Sequence, residues 1–115
     1  MRAYELMIIV DGDLDESAVA AEINQVHAQV EAAGGTTATT DKWGKRRFAY
    51  EINHKTEGSY VVFEILAEPG ALDGLDRNLR LADPIVRHKL LRLPDHEAAR
   101  RGLFGGDQAT PAAAG

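Results

Sequence analysis

The sequence predicts an α+β fold of the ferredoxin-like type, in the order βαββαβ, with a four-stranded antiparallel sheet that carries two helices on one face. Three observations lead to this prediction. Apolar runs typical of strands alternate with two segments whose apolar residues recur at helical spacing. Two strand-like segments follow each other directly between those helices. The first and third strand-like segments are the most apolar, as expected of strands in the centre of a sheet.

The first strand and the first helix have clearly different apolar patterns. Residues 4–10 (YELMIIV) carry a single charge and predict a strand that is buried over most of its surface. Asp13 and Glu16 have the spacing of a capping box, which satisfies free backbone N–H groups at a helix start. Gly34 and Gly35 predict the end of the helix. The apolar residues between these signals recur every three or four positions and predict one buried stripe, formed by Val19, Ile23, Val26, Val30 and Ala33.

The next two strands are predicted to form a hairpin. Residues 36–52 begin with β-branched side chains but are weakly apolar, which is typical of an edge strand, and Gly44 predicts a bulge or bend. Residues 53–59 are polar, contain Gly58 and predict the hairpin loop. Residues 60–67 are nearly all apolar and predict the second central strand.

The rest of the chain predicts a second helix, a second edge strand and a tail. Pro69 suits the first turn of a helix, and Pro84 ends it. Residues 85–93 predict the last strand, so the predicted domain spans residues 1–94. Residues 95–115 are rich in Ala, Gly and Pro, and we expect a disordered C-terminal tail, with at most one helical turn at its start. The buried stripe of the second helix is predicted to be Leu72, Leu75 and Leu79.

Composition excludes several classes of function. The 115 residues give room for one domain and a short tail. There is no cysteine, which rules out disulfides, thiolate nucleophiles and zinc sites built on sulfur. The four histidines lack the spacing of a two-histidine metal site, so we expect no metal and no cofactor. No run of about 20 apolar residues occurs, so we expect a cytoplasmic protein without a membrane partner.

No set of residues in the sequence predicts catalysis. The densest acidic group, residues 11–16, is better explained by helix capping than by a calcium loop, which needs oxygen ligands over about a dozen residues. An acylphosphatase-like hydrolase on the same fold would need a glycine-rich anion loop after the first strand, with an arginine nearby. Asp11 and Asp13 occupy that place and would repel phosphate. We therefore expect no catalytic residues and no small-molecule substrate.

Basic residues are concentrated in two islands of an acidic chain. The formal net charge is −5, but residues 42–55 contain five basic side chains against one acidic one, and residues 77–101 contain seven against three. Cations and aromatics are interleaved from Lys42 to Tyr50. The planar guanidinium group of arginine can bind phosphate oxygens and can stack on bases, so we expect the cations of this segment to contact RNA. We expect its aromatic residues, Trp43, Phe48 and Tyr50, to lie in the core.

An RNA-recognition motif, which has the same order of elements, is not indicated. That motif needs a cation, a glycine and aromatic residues on the third strand to stack bases. The corresponding segment here is residues 57–63 (EGSYVVF), where Glu57 and Ser59 stand in the places of the cation and the first aromatic residue. We therefore do not expect base stacking on the sheet.

Several segments resemble the bacterial small-subunit ribosomal protein six family. They are Met1–Glu5, Trp43–Ile52, Gly58–Tyr60 and Leu79–Arg87. The second of them contains the specific pattern W-G-x-R-x-x-A-Y-x-I. The resemblance runs in order from Met1 to about Leu93 and does not extend to the tail. The fold of the family is the ferredoxin-like fold that the residue patterns predict independently.

The resemblance implies a structural constituent of the small ribosomal subunit without catalytic activity. Members of the family pair with small-subunit ribosomal protein eighteen, and the pair docks on the central domain of the small-subunit ribosomal RNA. The alternatives are the hydrolase considered above and an interaction module outside the ribosome. By position, the resemblance implies RNA contacts at Arg2, Arg46, Arg47, Arg80 and Arg87, and charge alone adds Lys45, Lys55, Lys89 and Arg92.

Overall fold

Four strands and three helices make up residues 1–103, the part of the chain that this computed structural model describes. The strands are β1 (Arg2–Asp11), β2 (Thr36–Ile52), β3 (Lys55–Ala67) and β4 (Ile85–Leu93), and the helices are α1 (Glu16–Ala32), α2 (Asp73–Leu81) and α3 (Asp95–Arg100). Neighbouring strands are antiparallel, in the order β2-β3-β1-β4. The predicted ferredoxin-like arrangement is confirmed, with the two most apolar strands in the centre of the sheet.

The hydrophobic core lies between the sheet and helices α1 and α2. Alternate residues of β1 and β3 point to this side, because successive side chains of a strand face opposite ways. Leu6 and Phe63, which are register partners, are both fully buried there. We call the second side of the sheet, which α1 and α2 do not cover, the open face. The predicted helix stripes are confirmed apart from Ala33, which is exposed at the C-cap: the buried members are Val19, Ile23, Val26, Val30, Leu72, Leu75 and Leu79.

The start of α1 differs from the prediction, and its end agrees with it. The N-cap is Asp15, whose Oδ1 accepts a hydrogen bond from the N–H of Ala18 at 3.0 Å. The predicted capping box at Asp13 is wrong, because the N–H of Asp13 donates to the side chain of Asp11 in the turn that precedes the helix. Gly34 has a φ of +84° and ends the helix in the left-handed region, as predicted.

The β2–β3 hairpin has a tighter turn than predicted. β3 begins at Lys55, so the turn consists of Asn53 (φ 50°) and His54 (φ 65°). Both residues lie in the left-handed region that a two-residue type I′ turn requires. The predicted loop over residues 53–59 is wrong, because the polar segment after the turn pairs with β2 instead. The predicted bulge is confirmed at Gly44, which has a φ of +90° and lies at a shift of the register.

A short third helix replaces the first part of the expected tail. Ala98 of α3 is fully buried, and Leu103 behind it is 9% exposed. Both pack on Ala3 and Leu93, at one end of the open face. The prediction of disorder is therefore wrong for residues 95–103, because this end of the sheet is apolar and two apolar side chains are enough to cover it. The remainder of the predicted tail, residues 104–115, lies outside the described residues.

An arginine just beyond α3 attaches this segment to the sheet. Arg101 donates hydrogen bonds to Glu97 at 2.7 Å, to Glu64 at 2.8 Å and to Glu5 at 3.1 Å. Glu5 and Glu64 stand directly opposite each other in β1 and β3, where two like charges repel. The three carboxylates, with Glu97 first, raise the pKa of Arg101. The guanidinium therefore offsets the repulsion between the two strands.

Leu79→Ala is expected to lower the free energy of unfolding by about 2–5 kcal/mol, because it leaves a cavity between α2 and the sheet. Urea unfolding measures the change. Leu81→Ala on the same helix is the matched control, because Leu81 is 74% exposed and its truncation should change stability by less than about 0.5 kcal/mol. Equal losses in the two variants would contradict the assigned buried side of α2.

Two truncations are expected to differ in stability. A chain that ends at residue 94 loses the cover of Ala3 and Leu93, and its free energy of unfolding should fall by at least about 2 kcal/mol. A chain that ends at residue 103 keeps this cover, and we expect a change of less than about 1 kcal/mol. Thermal unfolding of both variants measures the difference. Identical melting temperatures would show that α3 does not stabilise the domain.

Candidate nucleic-acid interface

Four of the nine predicted RNA-contacting cations gather at one end of the open face. Arg87 and Lys89 of β4 point to this face because their register partners in β1, Ile9 and Met7, do so. The other two cations come from β2: Arg47 lines the same concavity as Arg87 and Lys89, and Arg46 lies over the ring of Trp43. Together with neighbouring side chains the four cations form the open-face patch, which consists of Arg46, Arg47, Arg87, Lys89, Met7, Ile9, Trp43, Phe48, Tyr50 and Tyr60.

Ion pairing separates the patch from most of the other predicted cations. Within residues 1–103, Arg46, Arg47, Arg87 and Lys89 form no ion pair, and all four are exposed. Arg2 lies at the far end of the sheet, opposite Ala67 in the register. The remaining four are paired: Lys45 with Glu57 at 4.0 Å, Lys55 with Asp11 at 3.0 Å, Arg80 with Asp76 at 2.8 Å and Arg92 with Asp95 at 3.8 Å. Within the described part of the chain, the structure therefore brings together four of the nine predicted residues without ion pairs, whereas four of the other five are paired and Arg2 lies at the far end of the sheet.

Two contacts fix the tip of the β2–β3 hairpin beside the patch. The Nδ2 of Asn53 donates a hydrogen bond to the carbonyl of Val86 in β4 at 2.9 Å. Since β1 lies between the hairpin and β4 in the sheet, the tip of the hairpin reaches across β1. The second contact is the ion pair between Lys55 and Asp11. The N–H of Asp13, and then Lys55, hold the pKa of Asp11 below its ordinary value.

A concavity of about 330 Å³ lies between this hairpin and the sheet. Its lining combines apolar side chains of the sheet and the hairpin with the cations Arg47, Arg87 and Lys89. Gly58 allows Ile9 and Phe48 to pack closely against the backbone of β3. A Cβ at this position would lie 2.5 Å from Cγ2 of Ile9 and 3.0 Å from Cζ of Phe48. The glycine that the sequence assigned to a loop is thus a packing residue of β3.

Two of the three aromatic residues predicted for the core are exposed. Trp43 is 45% exposed and Tyr50 is 71% exposed, so the prediction is wrong for both. The reason is that β2 is an edge strand, and neither α1 nor α2 covers its open-face side. Phe48 is half-buried, with its ring against Gly58.

The rings of the patch are arranged around Tyr60. Trp43 lies parallel to Tyr60, with an interplanar angle of 8° and 6.3 Å between the ring centroids. Phe48 meets Tyr60 edge to face, also with 6.3 Å between the centroids. The guanidinium of Arg46 lies 5.3 Å from the centroid of Trp43, within the range of cation–π contacts. The indole Nε1 donates a hydrogen bond to Asp41 at 3.1 Å, which fixes the orientation of the ring.

Other chemistries find no support in the described part of the chain. Among residues 1–103, no group of three His, Asp or Glu side chains is placed to hold a metal ion. No helix in that range is long and apolar enough to cross a membrane. Two histidines have structural partners: His88 bonds to Asp76 at 2.7 Å, and His27 bonds to Thr40 at 2.8 Å. The groups present in the patch are cations, aromatic rings and apolar side chains, which suit the binding of a ligand.

Comparison with known proteins assigns the family. A sequence model described as ribosomal protein S6 matches residues 3–92. The chain belongs to the ribosomal protein S6 family. The family is structural and non-enzymatic, and its members are proteins of the bacterial small ribosomal subunit, so the protein's place is the ribosome in the cytoplasm.

Individual relatives agree with this assignment. The small ribosomal subunit protein bS6 of Salinispora tropica is 46% identical over 92 residues, covering 80% of this chain and 96% of the relative. That of Thermobifida fusca is 44% identical over 96 residues, covering 84% and 100%. The crystal structure of 30S ribosomal protein S6 from Thermotoga maritima superposes with a TM-score of 0.80 at 28% identity, covering 88% of this chain and 95% of that one.

The sequence reasoning missed the apolar part of the patch. The signal was present in β1, where Met7 and Ile9 alternate with the core residues Leu6 and Ile8. A strand with apolar residues on both sides needs cover on both sides, whereas two helices on one face cover only one. The conclusion that the open face is partly apolar could therefore have been drawn from the alternation alone.

Lys55→Met is expected to raise the pKa of Asp11 without restoring its ordinary value, because the N–H of Asp13 still donates to that carboxylate. NMR titration of the side-chain carboxyl carbon measures the shift. Since the folded pKa of Asp11 is lowered, its stabilisation is present above the unfolded pKa and is lost as the pH falls through the folded pKa. Lys45→Met is the control and should leave Asp11 unchanged. An unaltered Asp11 titration in Lys55→Met would contradict the ion pair.

Proposed function

We propose that the protein binds the central domain of the small-subunit ribosomal RNA through the open-face patch, together with small-subunit ribosomal protein eighteen. The observation that carries this proposal is the distribution of ion pairs. Within residues 1–103 the four cations of the patch have no carboxylate partner, whereas four of the five other predicted cations have one. An unpaired cation can take a phosphate oxygen without first losing a partner.

The chemistry of the patch suits a phosphate backbone. Three of its four cations are arginines, whose planar forks bind phosphate oxygens in a bidentate way. They come from two different strands, β2 and β4, so phosphates at either end of a short RNA segment can be reached at once. The other five predicted cations, Arg2, Lys45, Lys55, Arg80 and Arg92, remain proposed contacts at the periphery.

The charge of the chain supports a protein partner. The formal net charge of −5 opposes approach to RNA at long range, and four cations neutralise only a few phosphates. A basic partner that shares the RNA site offsets both limits. The family resemblance implies that this partner is small-subunit ribosomal protein eighteen.

Replacing both Arg46 and Arg47 by Ala is expected to weaken binding to the central-domain RNA in the presence of protein eighteen. The slope of log affinity against log salt should become flatter by about one to two, because up to two phosphate contacts are lost. The matched control replaces Lys42 and Lys45 by Ala, which removes the same charge from the same strand but from positions paired with Glu16 and Glu57. This control leaves the ion pair between Lys55 and Asp11 at the tip of the hairpin in place. Filter binding at several salt concentrations measures both variants. Equal effects of the two would overturn the assignment of the patch.

Specific binding to the ribosomal RNA is expected to depend on the partner. We expect weak or undetectable binding by this protein alone, and tight binding when protein eighteen is present, since neither the charge nor the four cations suffice by themselves. Filter-binding titrations with and without the partner, at two salt concentrations, test this. The same affinity under both conditions would contradict cooperative binding.

A further inference from the structure

We infer that the open-face patch also takes an unpaired RNA base, which stacks on the indole of Trp43 while the surrounding cations hold its phosphates. The inference rests on the proposed RNA binding and narrows the ligand from RNA in general to a single-stranded nucleotide. It also replaces the expectation that no base stacks on the sheet. That expectation considered only the third strand, whereas the bulge at Gly44 of β2 accompanies the placement of Trp43 beside Tyr60.

The first argument is the arrangement of the rings. Trp43 and Tyr60 are parallel within 8° and offset, so together they present two flat surfaces in one orientation. Trp43 is nearly half exposed, and its hydrogen bond to Asp41 holds the plane of the indole in place before any ligand arrives. Phe48 supports Tyr60 from the side. Aromatic side chains of this kind stack on bases of single strands with little dependence on sequence.

The second argument is the position of Arg46. Its guanidinium lies over the indole, 5.3 Å from the ring centroid, and has no carboxylate partner in the described part of the chain. A guanidinium and a nucleobase are both flat groups that stack on aromatic rings. The face of the indole that Arg46 reaches at cation–π distance is therefore one on which a nucleobase can stack. When a nucleotide binds, Arg46 can follow its phosphate or stack on the base, and no ion pair has to break.

The third argument is the charge around the rings. Arg47, Arg87 and Lys89 line the concavity that adjoins Tyr60, and phosphates on either side of a stacked base need such cations. An apolar protein segment would fit the rings, but it would leave these charges without counter-ions. A duplex would satisfy the charges but not the rings, because its bases are stacked inside. A single-stranded nucleotide satisfies both.

The sequence provides a direct probe, because Trp43 is the only tryptophan. The full-length protein is titrated with a short oligouridine strand, and separately with the duplex of that strand and its oligoadenosine complement. Low salt, at which phosphate contacts are strongest, and strand concentrations up to the millimolar range make even the weak binding expected of this protein alone detectable. We expect the single strand to quench Trp43 fluorescence, and the duplex to quench it much less at the same phosphate concentration. Equal quenching by the two, or no quenching by the single strand, would overturn the inference.

Variants separate stacking from charge. Trp43→Leu should weaken binding of a labelled single strand, followed by anisotropy, by about 5- to 150-fold while the salt slope stays the same. Trp43→Phe keeps a ring and should recover most of the affinity. Leu81→Ala removes an exposed apolar side chain from α2 and should have no effect. Urea unfolding of each variant shows whether the fold is intact. Unchanged affinity in Trp43→Leu would exclude stacking.

Protein eighteen gives the last comparison. If this partner without RNA quenches Trp43 and blocks the single strand, the rings are a protein-docking surface and the inference is wrong. That result leaves the proposed function standing, provided that the double Arg46 and Arg47 variant still impairs assembly with the ribosomal RNA more than the double Lys42 and Lys45 variant does. If those two variants behave alike in assembly, the proposed function itself fails, whatever Trp43 shows.

Discussion

The open face of the sheet sets the constraint on which the rest of the structure depends. β1 and β3 carry apolar residues on both sides, but α1 and α2 cover only one side. The exposed side must therefore be covered or used for binding. At one end α3 covers Ala3 and Leu93, and at the other end the hairpin reaches across β1 and leaves aromatic rings and cations in solvent. One end of the open face is thus covered by α3, whereas the other end stays exposed to solvent.

The arrangement of strands could be predicted from sequence because its signals are local. A stripe such as Val19, Ile23 and Val26 indicates one buried side of a helix wherever the helix lies. The docking of α3 could not be predicted in this way. Its two buried residues are too few to form a pattern, and the surface that receives them is built by strands from both ends of the chain. The hairpin was misjudged because residues 55–59 are polar, and polarity does not distinguish a loop from an exposed strand.

The candidate site likewise combines features that the sequence predicts with features that only tertiary contacts determine. The cations of the patch could be found in the sequence as members of its two basic segments, because clusters of charge are visible along the chain. The sequence could not show which of them are available, because an ion pair such as Lys55 with Asp11 joins residues far apart in sequence. Nor could it place Trp43 and Tyr50, since strand alternation is interrupted at Gly44 and again between Arg47 and Ile52. Whether a cation binds RNA depends on these tertiary neighbours.

The contact of Arg101 with Glu5 and Glu64 links the C-terminal segment to the two central strands. As a result, the effect of a substitution at one of these three positions depends on the residues at the other two. The two glutamates stand opposite each other in the central strands, and within the described residues the cation between them comes from a segment beyond the family match. Loss of Arg101 leaves two facing carboxylates, whereas loss of one glutamate removes the need for the arginine. Removal of Arg101 is therefore expected to destabilise the sheet less when one of the two strand glutamates is already neutral. The effect of a change in the C-terminal segment thus depends on the charge carried by the two central strands.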